Sequence, residues 1–125
     1  MRRFNTGYQD GNYSVPAGHV EEGESVADTL VREVKEEIGI EVKKQDITLA
    51  HVVHRKGTDQ SDERLDFFFT CQTYSGEIKN LEPQKCDDLS WFQIGKLPDN
   101  IIPYIKQAIE NAGSKKSYSE VGFSV

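Results

Sequence analysis

The chain has only two cysteines, Cys71 and Cys86, among 125 residues. Two cannot build a disulfide framework, and no C-x-x-C pair offers a thiolate metal site. Reduced thiols in a cytoplasmic protein are the simplest expectation. Proline is scarce too, with four in all, and none between Pro16 and Pro83. No tyrosine lies between Tyr13 and Tyr74. No apolar run approaches the ~20 residues that span a bilayer, so no membrane partner is expected. Met1-Arg2-Arg3 leads into polar residues, which is not how a secretory leader reads. Three histidines and the lack of a G-x-S-x-G sequence leave little support for a Ser-His-Asp hydrolase. Basic charge is in deficit, with 15 Lys and Arg against 21 Asp and Glu and a net charge of −6. That balance argues against a nucleic-acid binder that works by neutralising many phosphates. There is no internal repeat and no low-complexity segment. The length fits one domain over residues 1–125.

Much of the negative charge is concentrated in residues 21–37, inside the segment GHVEEGESVADTLVREVKEEIGI from Gly18 to Ile40. At about 100° per residue, with Glu33 at zero, Glu36 falls near 300° and Glu37 near 40°. The three carboxylates share one helix face, and Arg32 sits beside them near 260°. Val26, Leu30, Val34, Ala27, Ile38 and Val31 make an adjoining apolar stripe from about 20° to 160°, wide enough to face a core. A solvated acidic helix face is the ordinary meaning of such a pattern. Carboxylates this close repel one another, however. A hard divalent cation relieves that repulsion, because Mg²⁺ takes oxygen ligands and is usually shared with substrate phosphates. Gly39 reads as a helix stop that tolerates the left-handed conformation. Gly18 reads as a point where the backbone approaches another group closely. Ser25 or Glu24 marks the helix start.

The spacing is G, five residues, E, seven residues, then R-E-V-K-E-E-I-G-I. It resembles the box of the Nudix hydrolases, G-x5-E-x7-R-E-U-x-E-E-x-G-U with U aliphatic. Gly18, Glu24, Arg32, Glu33, Val34, Glu36, Glu37, Gly39 and Ile40 all match. At average residue usage a chance match at one place is on the order of one in a billion. The resemblance implies a Mg²⁺-dependent enzyme, with Mn²⁺ as a substitute, acting on a small-molecule nucleotide with a diphosphate linkage. It also implies an α/β/α sandwich around a mixed sheet.

The rest of the chain suits an α/β class with helices covering a mixed sheet. Residues 5–12 form a polar loop with an Asp10-Gly11 turn signal. Tyr13–Pro16 reads as a short strand, and the box helix as residues 25–38. Asp46–Arg55 and Arg64–Thr73 read as strands. The run Phe67-Phe68-Phe69 suggests burial on both faces. Lys56–Glu63 is a charged loop. Leu89–Gln93 reads as a further strand, Ile101–Asn111 as a second amphipathic helix, and residues 118–125 as a last strand or arm. Family members usually carry one or two strands ahead of the segment equivalent to residues 5–11, where here only Met1–Phe4 stand. An open sheet edge would follow from their lack, and a second copy of the chain, in a homodimer, is the expected cover.

By resemblance, Glu36 and Glu37 are expected as direct Mg²⁺ ligands, joined by the backbone carbonyl of Ala17. Glu33 either binds metal or activates water. Arg32 is expected to orient Glu33 through a bidentate ion pair, which a lysine could not form. Glu24 is expected to contact metal or to fix the loop. An acidic ligand from outside the box is expected too, with Glu82 the first candidate and Asp87 the second. His19 is free in the family pattern and reads as a surface residue. His51 and His54, three apart on a strand, point to opposite faces. Trp91 and Phe92 could stack a base, though core packing is the expectation for at least one of them. Asn5, Tyr8 and Asp10 are weaker substrate-contact candidates. ADP-ribose hydrolases of the family tend to have a proline about fifteen residues beyond the box, and dinucleoside-polyphosphate hydrolases a tyrosine. Neither occurs here. That shifts the expectation to a MutT-like nucleoside triphosphate pyrophosphohydrolase, releasing a nucleoside monophosphate and pyrophosphate. The alternatives are a nucleotide sugar or capped RNA as substrate, or a module that binds nucleotide without cleaving it.

Overall fold

The structure, a computed structural model, describes residues 1–57 and 63–123. Most of the loop expected at Lys56–Glu63, and the last two residues of the expected C-terminal arm, lie outside the described residues. The fold is mixed α/β. In chain order it runs β1 (Arg2–Arg3), α1 (Val26–Ile38), β2 (Ile47–Arg55), β3 (Arg64–Cys71), β4 (Cys86–Asp88), α2 (Pro103–Gly113) and β5 (Tyr118–Val121). Single 3-10 turns cover Lys44–Asp46 and Ile94–Lys96. The chain divides into two compact units.

The first unit comprises residues 1–47 and 71–102. Its centre is the apolar side of α1. Val34 and Ile38 pack with Ile40 and Val42 just beyond the helix, and Met1, Leu30, Ile47, Ile78 and Leu89 lean on them. Each fully buried aliphatic side chain contributes about 1.5–3 kcal/mol. Ser25 caps the helix: its hydroxyl accepts from the Asp28 amide, and the Asp28 carboxylate accepts from the Ser25 amide. This reciprocal pair satisfies two amide donors at the helix start. Asp28 also meets Lys44 at 2.7 Å. That ion pair, with the cap hydrogen bonds behind it, lowers the Asp28 pKa to about 2. Gly39 ends the helix at φ 78°, and its amide donates to the Lys35 carbonyl. Ahead of residues 5–12 stands one short strand, β1, antiparallel to β4.

The loop itself is built around Asp10, whose carboxylate accepts from the Thr6 amide and hydroxyl and the Gly7 amide. Asp10 is thus spent on holding its own loop. Tyr13–Pro16 is not a strand: Tyr13 alone forms isolated bridges, to Arg2 and to Ile101. Tyr13 also hydrogen-bonds Asp88 and meets the Phe92 ring edge-on at 5.0 Å. Residues 89–93 are likewise not a strand; the pairing occurs just earlier, at Cys86–Asp88. Phe92 therefore packs on one side, whereas Trp91 is 77% exposed.

The second unit comprises residues 48–70 and 103–125. Its sheet has the order β3-β2-β5, with β2 and β5 parallel and Val52 opposite Tyr118. The helix starts at Pro103, two residues later than its isoleucine spacing predicts. Proline lacks an amide hydrogen and suits a first helical position. Ile105 and Ala108 are its buried residues. The phenylalanine run departs from expectation. Phe67 is 40% exposed and its two neighbours are half-buried, because β3 is the sheet's outer strand and not an interior one. Arg55 pairs with Asp66 at 2.8 Å and lies over the Tyr104 ring at 4.2 Å. His51 is fully buried between two partners, the Lys116 carbonyl at 2.6 Å and the Ser119 hydroxyl at 2.8 Å. A carbonyl can only accept, so Nδ1 carries a proton that it donates to the Lys116 carbonyl.

Replacing Gly39 with alanine is expected to cost about 1–2 kcal/mol, since an L residue there must hold a left-handed backbone with its Cβ 3.2 Å from Leu81. Urea denaturation should show a lower midpoint with an unchanged slope.

Candidate active site

The acidic face of α1 is organised by one cation. Arg32 places Nε 2.7 Å from Glu24 Oε2 and Nη2 3.0 Å from Glu24 Oε1. It also places Nη1 2.7 Å from Glu33 Oε1 and 3.3 Å from Glu36 Oε2. Its Nη2 also meets the His19 carbonyl at 3.1 Å and lies 3.8 Å from Glu21 Oε1. The planar fork thus joins the loop before the helix, through His19, Glu21 and Glu24, to Glu33 and Glu36 on the helix. The bidentate pair expected with Glu33 is made instead with Glu24; Glu33 receives a single bond. The reason is geometric: Glu24 lies on the entering loop, where it can meet the fork edge-on, whereas Glu33 is the sequence neighbour of Arg32 and meets only its tip. Arg32 holds Glu24 well below the usual carboxylate range, at about 2, and is itself raised by Glu24 first and Glu33 next.

Glu33 is held from its other side by a glycine. A Cβ on Gly18 would stand 2.1 Å from the Glu33 carboxyl carbon and 2.5 Å from its Cγ. The close approach read into Gly18 is therefore to the carboxylate stem of the same box. Glu37 Oε2 accepts from the Ala17 amide at 3.0 Å. Apart from that bond, its surroundings disfavour charge. Burial comes first, and repulsion from Glu33, Glu82 and Glu36 adds to it, so the Glu37 pKa is pushed up to about 8. Of the residues expected together, Ala17, Glu33, Glu36 and Glu82 each lie within hydrogen-bonding or electrostatic range of Glu37. Glu82 reaches this group from a turn whose carbonyl accepts from the Lys85 and Cys86 amides. Asp87, the second candidate, is paired with Arg2 at 2.7 Å instead.

The carboxylates do not converge on one point. Glu33 and Glu36 turn to Arg32, and Glu37 turns to Ala17. Among the described residues no group of three or more His, Cys, Asp and Glu side chains is drawn together as a metal-holding set. The donor chemistry nevertheless fits a hard divalent ion: oxygen donors only, mutually repelling, with Glu37 half-buried. A shallow cleft of about 430 Å³ lies elsewhere on α1, lined by Val31, Lys35, Lys43 and Tyr74 among others and by none of these glutamates. His19 contributes its backbone carbonyl to Arg32. Among the described residues His51 and His54 share no partner: His51 is buried as described, and His54 meets Glu63 and the Phe123 ring.

The NUDIX domain family model matches residues 1–112. The chain belongs to the NUDIX family. Its structure is similar to that of a MutT NUDIX hydrolase from Burkholderia pseudomallei, with a TM-score of 0.79 and 26% identity over 88% of this chain and 83% of that one. A UDP-X diphosphatase shares the fold at a TM-score of 0.58 and 20% identity, over 90% of this chain and 56% of that one. Among curated proteins, the NAD-capped RNA hydrolase NudC of Pseudomonas aeruginosa is 38% identical over 88 residues, 70% of this chain and 29% of its own. NudC of Stutzerimonas stutzeri is 35% identical over 91 residues, 73% of this chain and 30% of its own. The NUDIX chain described here thus spans under a third of the length of the curated relatives it matches. No helix among the described residues is long and apolar enough to cross a membrane.

Two outcomes follow from the geometry. In metal-free protein Glu37 takes up a proton on folding, because its pKa rises from 4.5 to about 8. The folded state binds more protons than the unfolded one across that window, so its contribution to stability is full below pH 4.5 and is lost as pH climbs through about 8. Melting temperatures from pH 5 to 9 in chelator should fall, and Glu37→Gln should flatten the fall. Gly18→Ala should lower the melting temperature modestly, because the Glu33 stem must move and give up its bond to Arg32. Its main effect should appear as a loss of turnover of about tenfold or more, since Glu33 is displaced.

Proposed function

We propose that the chain is a metal-dependent pyrophosphohydrolase. It would cleave a pyrophosphate bond in a nucleoside triphosphate, or in a related nucleoside-diphosphate-linked molecule, releasing a nucleoside monophosphate and pyrophosphate from the triphosphate. The observation that carries this reading is the intact box folded about Arg32, with Glu33, Glu36 and Glu37 on one helix face and Glu82 within electrostatic reach of Glu37. Glu36, Glu37 and the Ala17 carbonyl are the proposed holders of Mg²⁺ or Mn²⁺, with Glu82 as a further oxygen donor. When bound, the ion supplies charge for the phosphoryl oxygens and acidifies water. Glu33 is the proposed base, kept in place by Gly18 on one side and Arg32 on the other. Glu24 serves as an anchor for Arg32, with both its oxygens taken by donors of the chain. Positioning and electrostatics supply most of the acceleration, and no covalent intermediate on the protein is needed. An intact box weighs against a module that only binds nucleotide. The reading includes one domain over residues 1–125 and a cytoplasmic location, which suits free thiols at Cys71 and Cys86.

A second reading has its own support. The NudC relatives are named for NAD-capped RNA, a substrate that also holds a pyrophosphate between two nucleosides. The net charge, which argues against a binder that neutralises many phosphates, does not exclude this reading. A panel of nucleoside triphosphates, NAD, nucleotide sugars and NAD-capped RNA, with Mg²⁺ or Mn²⁺ and detection of phosphate, pyrophosphate and mononucleotide, separates the two. Triphosphate turnover above the rest supports the first reading; NAD or capped-RNA turnover above the rest supports the second. Binding without turnover anywhere on the panel would defeat both.

Glu36→Gln and Glu37→Gln are each expected to lower kcat by about two to three orders of magnitude at limiting Mg²⁺, with the fold retained by circular dichroism. Arg32→Lys should lower it by about tenfold to a hundredfold, because an ammonium cannot reproduce the fork. Full activity in either glutamine variant would remove that residue from the metal set.

A further inference from the structure

Thr29 has no place in the box pattern, yet it is one of the few buried polar residues, only 5% exposed. At about 320° on the helix wheel it lies between Glu36 and Glu33, on the acidic side and away from the apolar stripe. Its Oγ1 stands 2.9 Å from Glu24 Oε1 and 3.1 Å from the Ser25 carbonyl. A hydroxyl has one proton, and the charged acceptor makes the stronger bond, so that proton goes to Glu24. The same Oε1 accepts from the Glu21 amide and from Arg32 Nη2, each at 3.0 Å. Oε2 faces Arg32 Nε.

The two Arg32 bonds alone would let the Glu24 carboxylate and the guanidinium swing together about the helix edge. The Glu21 amide and the Thr29 hydroxyl tie the carboxylate to the backbone of the loop and to the helix itself. Of these only Thr29 belongs to α1, the element that carries Arg32, Glu33 and Glu36. We propose that Thr29 is a positioning residue of the hydrolytic site: it fixes the plane of the Glu24 carboxylate, which sets the guanidinium of Arg32, which in turn aims Glu33. This rests on the pyrophosphohydrolase reading for its catalytic consequence, though not for its structural one.

The test compares Thr29→Val, which keeps shape and loses the donor, with Thr29→Ser, which keeps the donor, and places Thr29→Val also in a Glu24→Gln background. Two quantities are read: kcat and KM on the best substrate of the panel with Mg²⁺, and the NMR signal of the Arg32 Nε–H in chelated protein. Thr29→Val should lower kcat about tenfold with KM little changed, and broaden the Arg32 signal. Thr29→Ser should restore both. In the Glu24→Gln background the valine should add less than about twofold, since residues acting through one another are not additive. The proposal is overturned if Thr29→Val leaves the Arg32 signal sharp, if serine fails to rescue, or if the valine costs as much without Glu24 as with it. If the parent protein turns over nothing on the panel, the functional reading falls, while the Arg32 signal still decides the role of Thr29.

Discussion

A single guanidinium surrounded by carboxylates sets the architecture of the site. Helix α1 concentrates negative charge on one side, and that arrangement disfavours itself unless something positive is fixed within it. Arg32 meets the need in a particular way: its fork engages Glu24 with two bonds and spends its tip on Glu33 and Glu36. The helix, the loop before it and the acidic face are thereby joined at one residue. Glu37 lies outside this clamp. It depends on the Ala17 amide alone and stays protonated well above the usual carboxylate range. One face of one helix therefore holds glutamates of two kinds, one kind neutralised by arginine and the other left with little compensation.

The supports of this arrangement are backbone features as much as side chains. Gly18 has no Cβ because the stem of Glu33 occupies that space. Gly39 stops α1 in the left-handed conformation, so that Ile40 and Val42 turn back to join Val34 and Ile38. The apolar stripe and the acidic face are thus consequences of one helix phase, and the Ser25–Asp28 cap together with the Asp28–Lys44 pair secures where that phase starts. Moving the start of the helix by a single residue would rotate both faces by about 100°.

The sequence made much of this legible, since the relevant information is local. The box helix, its cap and its stop are set by residues within a few positions of one another, and periodicity alone places Glu33, Glu36, Glu37 and Arg32. Glu82 was legible only as an acidic residue outside the box; its approach to Glu37 depends on the chain returning to the end of α1, which no local pattern encodes. The partner of the arginine fork was not legible for the same reason, because Glu24 is eight residues away in sequence and meets Arg32 only once the loop has folded back. Thr29 is legible as a polar residue on the acidic side of the wheel. The strand expected at residues 89–93 failed because Phe92 packs on Tyr13 instead; the phenylalanine run does form a strand, and only its expected burial on both faces failed.

His51 ties β2 to the far end of the chain, through hydrogen bonds that close loops of 65 and 68 residues. Closing loops of that length costs entropy before any contact repays it, whereas α1 and its cap form from neighbours. The parallel pairing of β2 with β5 is therefore a late event in folding on entropic grounds. During synthesis on the ribosome the imidazole of His51 must wait, without its final acceptor, until residues 116–119 have emerged.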